Sequence, residues 1–151
     1  MARSLVVLTT LATGLLLAAG CGSDPAEPAA ATGDDAGAAD DGAGVRLVSV
    51  EDGVATLADP PADLVVLDVR TPEEFAQGHL EGAVMLDFYR ADFAVELDKL
   101  DKDVPYLLYC RSGNRSGQTA TIMSQLGFSD VADVDGGVVA WGEAGHPLVA
   151  G

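Results

Sequence analysis

A chain of 151 residues carries one ordinary domain and little beyond it. Aromatic residues make up only 5%, so the core must be aliphatic. The formal net charge is −16, and the closest approach to a basic cluster is Arg111 with Arg115, which excludes nucleic acid as a partner because phosphate binding needs a basic patch.

Residues 1–20 read as a signal peptide. Arg3 is the single charge, and Leu5 to Ala19 form an apolar stretch of about 15 residues, short of the ~20 that a membrane span needs. The stretch ends in Leu17-Ala18-Ala19-Gly20-Cys21, which resembles a bacterial lipobox, with Ala18 where leucine is usual. The resemblance implies that Cys21 becomes the first mature residue and carries a diacylglyceryl thioether. Several acyl chains on one cysteine anchor stably where one is marginal. The implied place is the bacterial cell envelope, outside the cytoplasm and attached to a membrane through Cys21. Residues 21–44 continue as an acidic Ala/Gly/Pro linker without a basic residue. Such a segment has no apolar surface to bury, so it is expected to stay disordered and to act as a tether.

Residues 45–151 carry the folded domain, and their strand and helix patterns alternate. Leu64-Val65-Val66-Leu67 is a continuous apolar run between Asp63 and Asp68, the pattern of a strand buried on both faces. It feeds a short helix opened by Thr71-Pro72-Glu73-Glu74: Thr71 as N-cap, Pro72 at the first helical position, and Glu74 closing a capping box. Gly78 ends that helix. Val84-Met85-Leu86 is a second short strand. Asp92 to Leu100 reads as a helix with Phe93, Leu97 and Leu100 on one face. Pro105 to Tyr109 is a third strand and runs straight into Cys110. Arg115 to Leu126 is a helix with Ala120, Met123 and Leu126 on its buried side, terminated by Gly127. Val131 to Val134 is a further strand. Gly136-Gly137 opens a last helical turn through Trp141, which is assigned to the core and ends near Gly145. The alternation implies an α/β fold with a central, mostly parallel sheet and helices on both faces. Ligands in such folds sit at the carboxyl ends of strands, where Cys110 falls.

The chain has two cysteines, and two cysteines in an exported chain default to a disulfide. The lipobox gives Cys21 a separate use and leaves Cys110 as an unpaired thiol. Cys110-Arg111-Ser112-Gly113-Asn114-Arg115-Ser116 then places that thiol at the mouth of a short turn. Backbone N–H groups in such a turn form an anion-binding nest, the helix N-terminus adds partial positive charge, and two arginines add full charges. Each favours the thiolate, the reactive form of cysteine. A buried, inert strand-end cysteine needs none of these neighbours.

The loop resembles the active-site loop of single-domain rhodaneses. Three further motifs follow the same family's order: Leu67 to Phe75, Gly78-His79-Leu80-Glu81-Gly82-Ala83, and Gly136 to Trp141 followed by Ala144-Gly145-His146-Pro147. Met85 departs from the usual asparagine. The resemblance implies a rhodanese-like domain and a double-displacement sulfurtransferase. Cys110 would take sulfur from a small anionic donor such as thiosulfate and pass it from a persulfide to a thiol or to cyanide. It further implies Arg111, Ser112, Gly113, Asn114, Arg115 and Ser116 as the substrate-binding loop. Asp68 and Arg70 are supporting residues that orient the loop and the first helix. Glu74 is read as a cap or an Arg70 partner, His79 as a scaffold residue and His146 as surface turn. No metal and no organic cofactor are implied, and a monomer is expected.

Rival readings differ in the loop. Cysteine phosphatases and arsenate reductases on a related fold use Cys-x5-Arg, whereas Cys110 and Arg115 are separated by four residues. A binding module that has lost activity usually lacks the cysteine. A sulfur carrier or redox partner that hands its persulfide to one specific protein would share every motif here.

Overall fold

The computed structural model describes residues 44–150. The segment read as a signal peptide, Cys21 and the expected linker up to residue 43 lie outside the described residues, as does Gly151. Gly44, counted above with the linker, opens the first strand.

Five strands form one sheet: β1 (Gly44–Val48), β2 (Val65–Asp68), β3 (Val84–Met85), β4 (Pro105–Tyr109) and β5 (Asp130–Val134). Their order is β1-β5-β4-β2-β3, and every strand pairing is parallel, so "mostly parallel" sharpens to wholly parallel. The helices are α1 (Val50–Ala58), α2 (Pro72–Gln77), α3 (Phe93–Asp98), α4 (Asn114–Leu126) and α5 (Gly137–Glu143).

Strand alternation sorts the core into two layers. Tyr106, Leu108 and Cys110 at and beyond β4 face the same way as Leu67 and Val131, and pack with Phe93, Leu97, Ala120 and Met123 from α3 and α4. Leu107 and Tyr109 face the other way with Val66, Ala132 and Val134, against Val50 of α1 and Trp141 of α5. Leu107, Leu108 and Tyr109 are fully buried, as a central strand covered on both faces requires.

Most expected elements stand where their residues placed them. Thr71 accepts from the Glu74 backbone N–H while the Glu74 side chain accepts from the Thr71 N–H, and Gly78 caps the other end of α2. Helix α3 is shorter than Asp92 to Leu100, since Asp92 is an N-cap without a side-chain bond and Lys99 is the C-cap. Helix α4 starts one residue earlier than Arg115, because Gly113 at φ 88° closes the loop immediately before Asn114. Two elements were not anticipated. β1 is an edge strand whose Leu47 is exposed, so it lacks a clean apolar run. Helix α1 announces itself only by the Ser49–Asp52 capping box.

Candidate active site

The central strand delivers Cys110 to the carboxyl edge of the sheet, between β2 and β5. Its side chain is only 1% exposed. A three-residue turn follows, and Gly113 takes the left-handed conformation that lets its own N–H donate back to the Cys110 Sγ at 3.2 Å. Burial pushes the thiol up. The Ser116 hydroxyl and the backbone N–H groups of Ser116, Ser112 and Arg115 pull it down by more, so Cys110 ionises below an ordinary cysteine. The sulfur therefore sits in a nest of donors at the N-terminus of a helix of 13 residues.

The two arginines of the loop play different parts. Arg115 forms a two-pronged pair with Glu74, at 2.7 Å and 2.8 Å, and its guanidinium also lies over the Tyr89 ring. The Arg115 guanidinium beside Glu74 holds that carboxyl down at about 2. Glu74 is thus both the cap of α2 and the partner of Arg115, where the sequence suggested Arg70. Arg111 is exposed and makes no ion pair among the described residues. It lines an open depression of about 260 Å³ with Arg70, Glu74, Gln77, Val138 and Val139. Ser112 and Asn114 are exposed beside it, and Asn114 accepts from the Gln118 amide.

Asp68 and Arg70 stand on the sheet face opposite the sulfur. They form a buried ion pair at 2.6 Å, and Arg70 also donates to the Gly78 carbonyl at 2.7 Å. Arg70 lies over the Tyr109 ring, whose phenol is pushed up by burial and by Asp68. The Tyr109 hydroxyl accepts from the Leu80 N–H. This network fastens α2 and its exit loop to the residue just before Cys110. His79 is a scaffold residue: its ring stacks on Phe75, its Nδ1 meets the Phe75 carbonyl, and its backbone exchanges two hydrogen bonds with Val149. His146 lies against the ring of the buried Trp141.

Two contributors escaped the sequence reading. One is the clamp of Gly136-Gly137. From the start of α5, Val138 N–H donates to the Cys110 carbonyl and Val139 N–H to that of Arg111, at 3.0 Å and 3.1 Å. A side chain at Gly137 would come within 2.3 Å of the Cys110 carbonyl oxygen, so only glycine allows this approach. The other is Asp133, a carboxylate inside β5 that is 3% exposed. Its signal was available: one acid interrupts the apolar run of that strand. Burial pushes it up to about 6, against the pull of the Ser116 hydroxyl and with a smaller push from Asp135.

No helix among the described residues is long and apolar enough to cross a membrane, and no group of three or more His, Cys, Asp or Glu is placed to hold a metal ion.

Known proteins share this fold. A sulfurtransferase of Allochromatium vinosum is 36% identical over 88 residues, covering 58% of this chain and 80% of the relative. The thiosulfate sulfurtransferase GlpE of Pseudomonas putida is 45% identical over 78 residues, covering 51% and 68%. Among solved structures, a rhodanese-related protein from Thermoplasma volcanium superposes with a TM-score of 0.61 at 29% identity, over 70% of this chain and 99% of that one. The Rhodanese-like domain family matches residues 50–144, and with four motifs in order on a parallel sheet the chain belongs to that family.

Proposed function

We propose that the protein is a sulfurtransferase that moves sulfane sulfur through a persulfide on Cys110. The observation that carries this reading is a buried strand-end thiol that accepts a loop N–H at the start of a helix, an arrangement that favours the thiolate. The sulfurtransferase names of the relatives from A. vinosum and P. putida support it.

With thiosulfate as donor, the Cys110 thiolate attacks the outer sulfur. A new S–S bond forms, the bond to the sulfonate sulfur breaks, and sulfite leaves with its electron pair. The terminal sulfur of the persulfide then carries the negative charge, and the loop N–H groups stabilise it. Attack by cyanide or a thiolate on that terminal sulfur forms thiocyanate or a new persulfide and returns the Cys110 thiolate. Arg111 is the cation open to an incoming anion, since Arg115 is already engaged by Glu74. All of these groups come from one chain, which suits a monomer. Cys110→Ser should abolish thiosulfate:cyanide transfer and leave the fold intact. Mass spectrometry after thiosulfate treatment should find one added sulfur on Cys110 in the wild type and none in the variant. A serine variant that keeps most of the wild-type rate overturns the reading.

The lipobox-like segment supports a second part of the proposal: the domain works outside the cytoplasm of a bacterium, tethered by lipid on Cys21. Cys21→Ala should then lose incorporation of a labelled fatty acid and move the protein from the membrane fraction to the soluble one. Labelling that survives the substitution refutes the anchor.

A further inference from the structure

Ser116 is a fully buried serine in the first turn of α4. Its hydroxyl donates to the Gly113 carbonyl at 3.3 Å, and it pulls down the ionisation of both the Cys110 thiol and the Asp133 carboxyl, which places it within reach of each. A hydroxyl has one proton and rotates to place it. Turned away from Gly113, it can support the sulfur anion or the Asp133 carboxylate at one moment, not both.

Strand register makes this meeting a property of the fold. Asp133 of β5 pairs with Leu108 of β4, and Cys110 is two residues further along β4, on the same face. Helix α4 covers that face: Ser116 is fully buried in its first turn, and a methyl built on Gly117 would lie 3.9 Å from the Asp133 Oδ2. Asp133 Oδ1 is buried without a hydrogen-bond partner. A buried carboxylate oxygen without a partner is costly, and a native structure that keeps one invites an explanation.

We propose that Asp133 is a proton-linked positioning residue, which governs through the Ser116 hydroxyl how strongly the loop stabilises the sulfur anion on Cys110. The proposal rests on Cys110 being the reactive thiol. When Asp133 is neutral, its own O–H donates to the Ser116 oxygen, and the Ser116 proton is free for the sulfur. When Asp133 is ionised, it competes for that proton and adds a buried negative charge on the same side of the sheet. Protonation of Asp133 and ionisation of Cys110 therefore favour each other.

The ordinary titration range of a surface aspartate would put this switch out of reach. Burial brings Asp133 to about 6, near neutrality. The groups facing it are few. Ser116 comes from α4, Cys110 from the end of β4 and Asp135 from beyond β5. From β1, Arg46 is held by Asp130. An open cavity of about 460 Å³ between β1 and α4 is lined by Asp133 and also by Arg46.

The test is the pH profile of Cys110 alkylation by iodoacetamide on the full chain, with peptide mass spectrometry to separate Cys110 from Cys21. No sulfur donor is involved. The wild type should show two inflections, one from Asp133 and one from the thiol. Asp133→Asn should leave one inflection, shifted to lower pH, with alkylation at neutral pH raised by about fivefold, the lower end of ordinary coupling between sites. A variant that reacts faster at every pH but keeps both inflections has only loosened the loop, and overturns the proposal. A second arm avoids any folding problem in that variant. Coupling is reciprocal, so in Cys110→Ser the Asp133 carboxyl, followed by carbon NMR of labelled aspartate, should titrate at lower pH than in the wild type. An Asp133 midpoint that Cys110→Ser does not move removes the coupling. A wild-type Cys110 that iodoacetamide never reaches at any pH removes instead the reading of Cys110 as the reactive thiol.

Discussion

Replacing Gly137 by alanine tests whether α5 sets the shape of the sulfur loop. The added methyl would lie 2.3 Å from the Cys110 carbonyl oxygen, 2.9 Å from the Arg111 carbonyl carbon and 3.0 Å from its oxygen. All three are backbone atoms, so no side chain can swing away. Holding alanine at φ 56° costs about 1–2 kcal/mol by itself. Forcing a methyl into packed backbone costs about 1–3 kcal/mol more. Relief requires the loop and α5 to separate, and that gives up the bonds from Val138 and Val139. The expected loss of stability is thus about 2–5 kcal/mol, read as a lower urea midpoint. A shift of about 1 Å in a reacting group can cost on the order of a hundredfold in rate. Thiosulfate:cyanide transfer should fall by that order even where the variant remains folded. Gly142→Ala is the control on the same helix, since nothing lies within 4 Å of its added methyl and its φ is ordinary. It should be neutral or stabilising by up to about 1 kcal/mol. A Gly137→Ala protein with the wild-type midpoint and rate would refute the clamp.

Glu74→Gln should lower stability by about 1–2 kcal/mol at pH 7. The shift of Glu74 from 4.5 to about 2 sets a ceiling of about 3 kcal/mol, and its side chain is a quarter exposed, so screening removes part of that. The carboxyl is depressed in the folded state, so its contribution is present above pH 4.5 and disappears as pH falls toward 2; a wild-type–variant gap that stays constant from pH 7 to pH 2.5 in urea titrations contradicts the assignment. Arg111→Ala should lower kcat/KM for thiosulfate by about tenfold or more, the worth of one charge-assisted bond, while iodoacetamide alkylation of Cys110 changes little. Equal losses in both assays would make Arg111 a structural residue.

The sheet and the loop were legible because their signals are local. An apolar run such as Leu64 to Leu67, a capping box at Thr71–Glu74 and a glycine after Leu126 each fix a short stretch without help from the rest of the chain. β1 was not legible because an edge strand buries only part of one face, and Gly44 to Val48 alternates weakly around Arg46. The partnering of charges was not legible for a different reason. Glu74 and Arg115 lie 41 positions apart, and only the crossing from β2 to β4 brings α2 against the start of α4. From sequence, Arg111 and Arg115 are equivalent cations beside one cysteine. In the fold one is spent on Glu74 and the other is exposed, lining a depression with Arg70 and Val138.

That division explains how an acidic protein presents a site to an anion. The surface charge of the chain repels anions at long range, but salt screens this beyond a Debye length of about 8 Å. Inside that distance the donors are fixed by covalent geometry: N–H groups of a turn set by Gly113, and the end of α4. These cost nothing to orient when charge arrives, since folding has already placed them. A mobile lysine at the same place would attract the donor as well, but it would lose side-chain freedom with each turnover. On the proposed reading, the backbone nest carries the charge that stays on Cys110 through the reaction, and Arg111 needs to act only on the charge that enters and leaves.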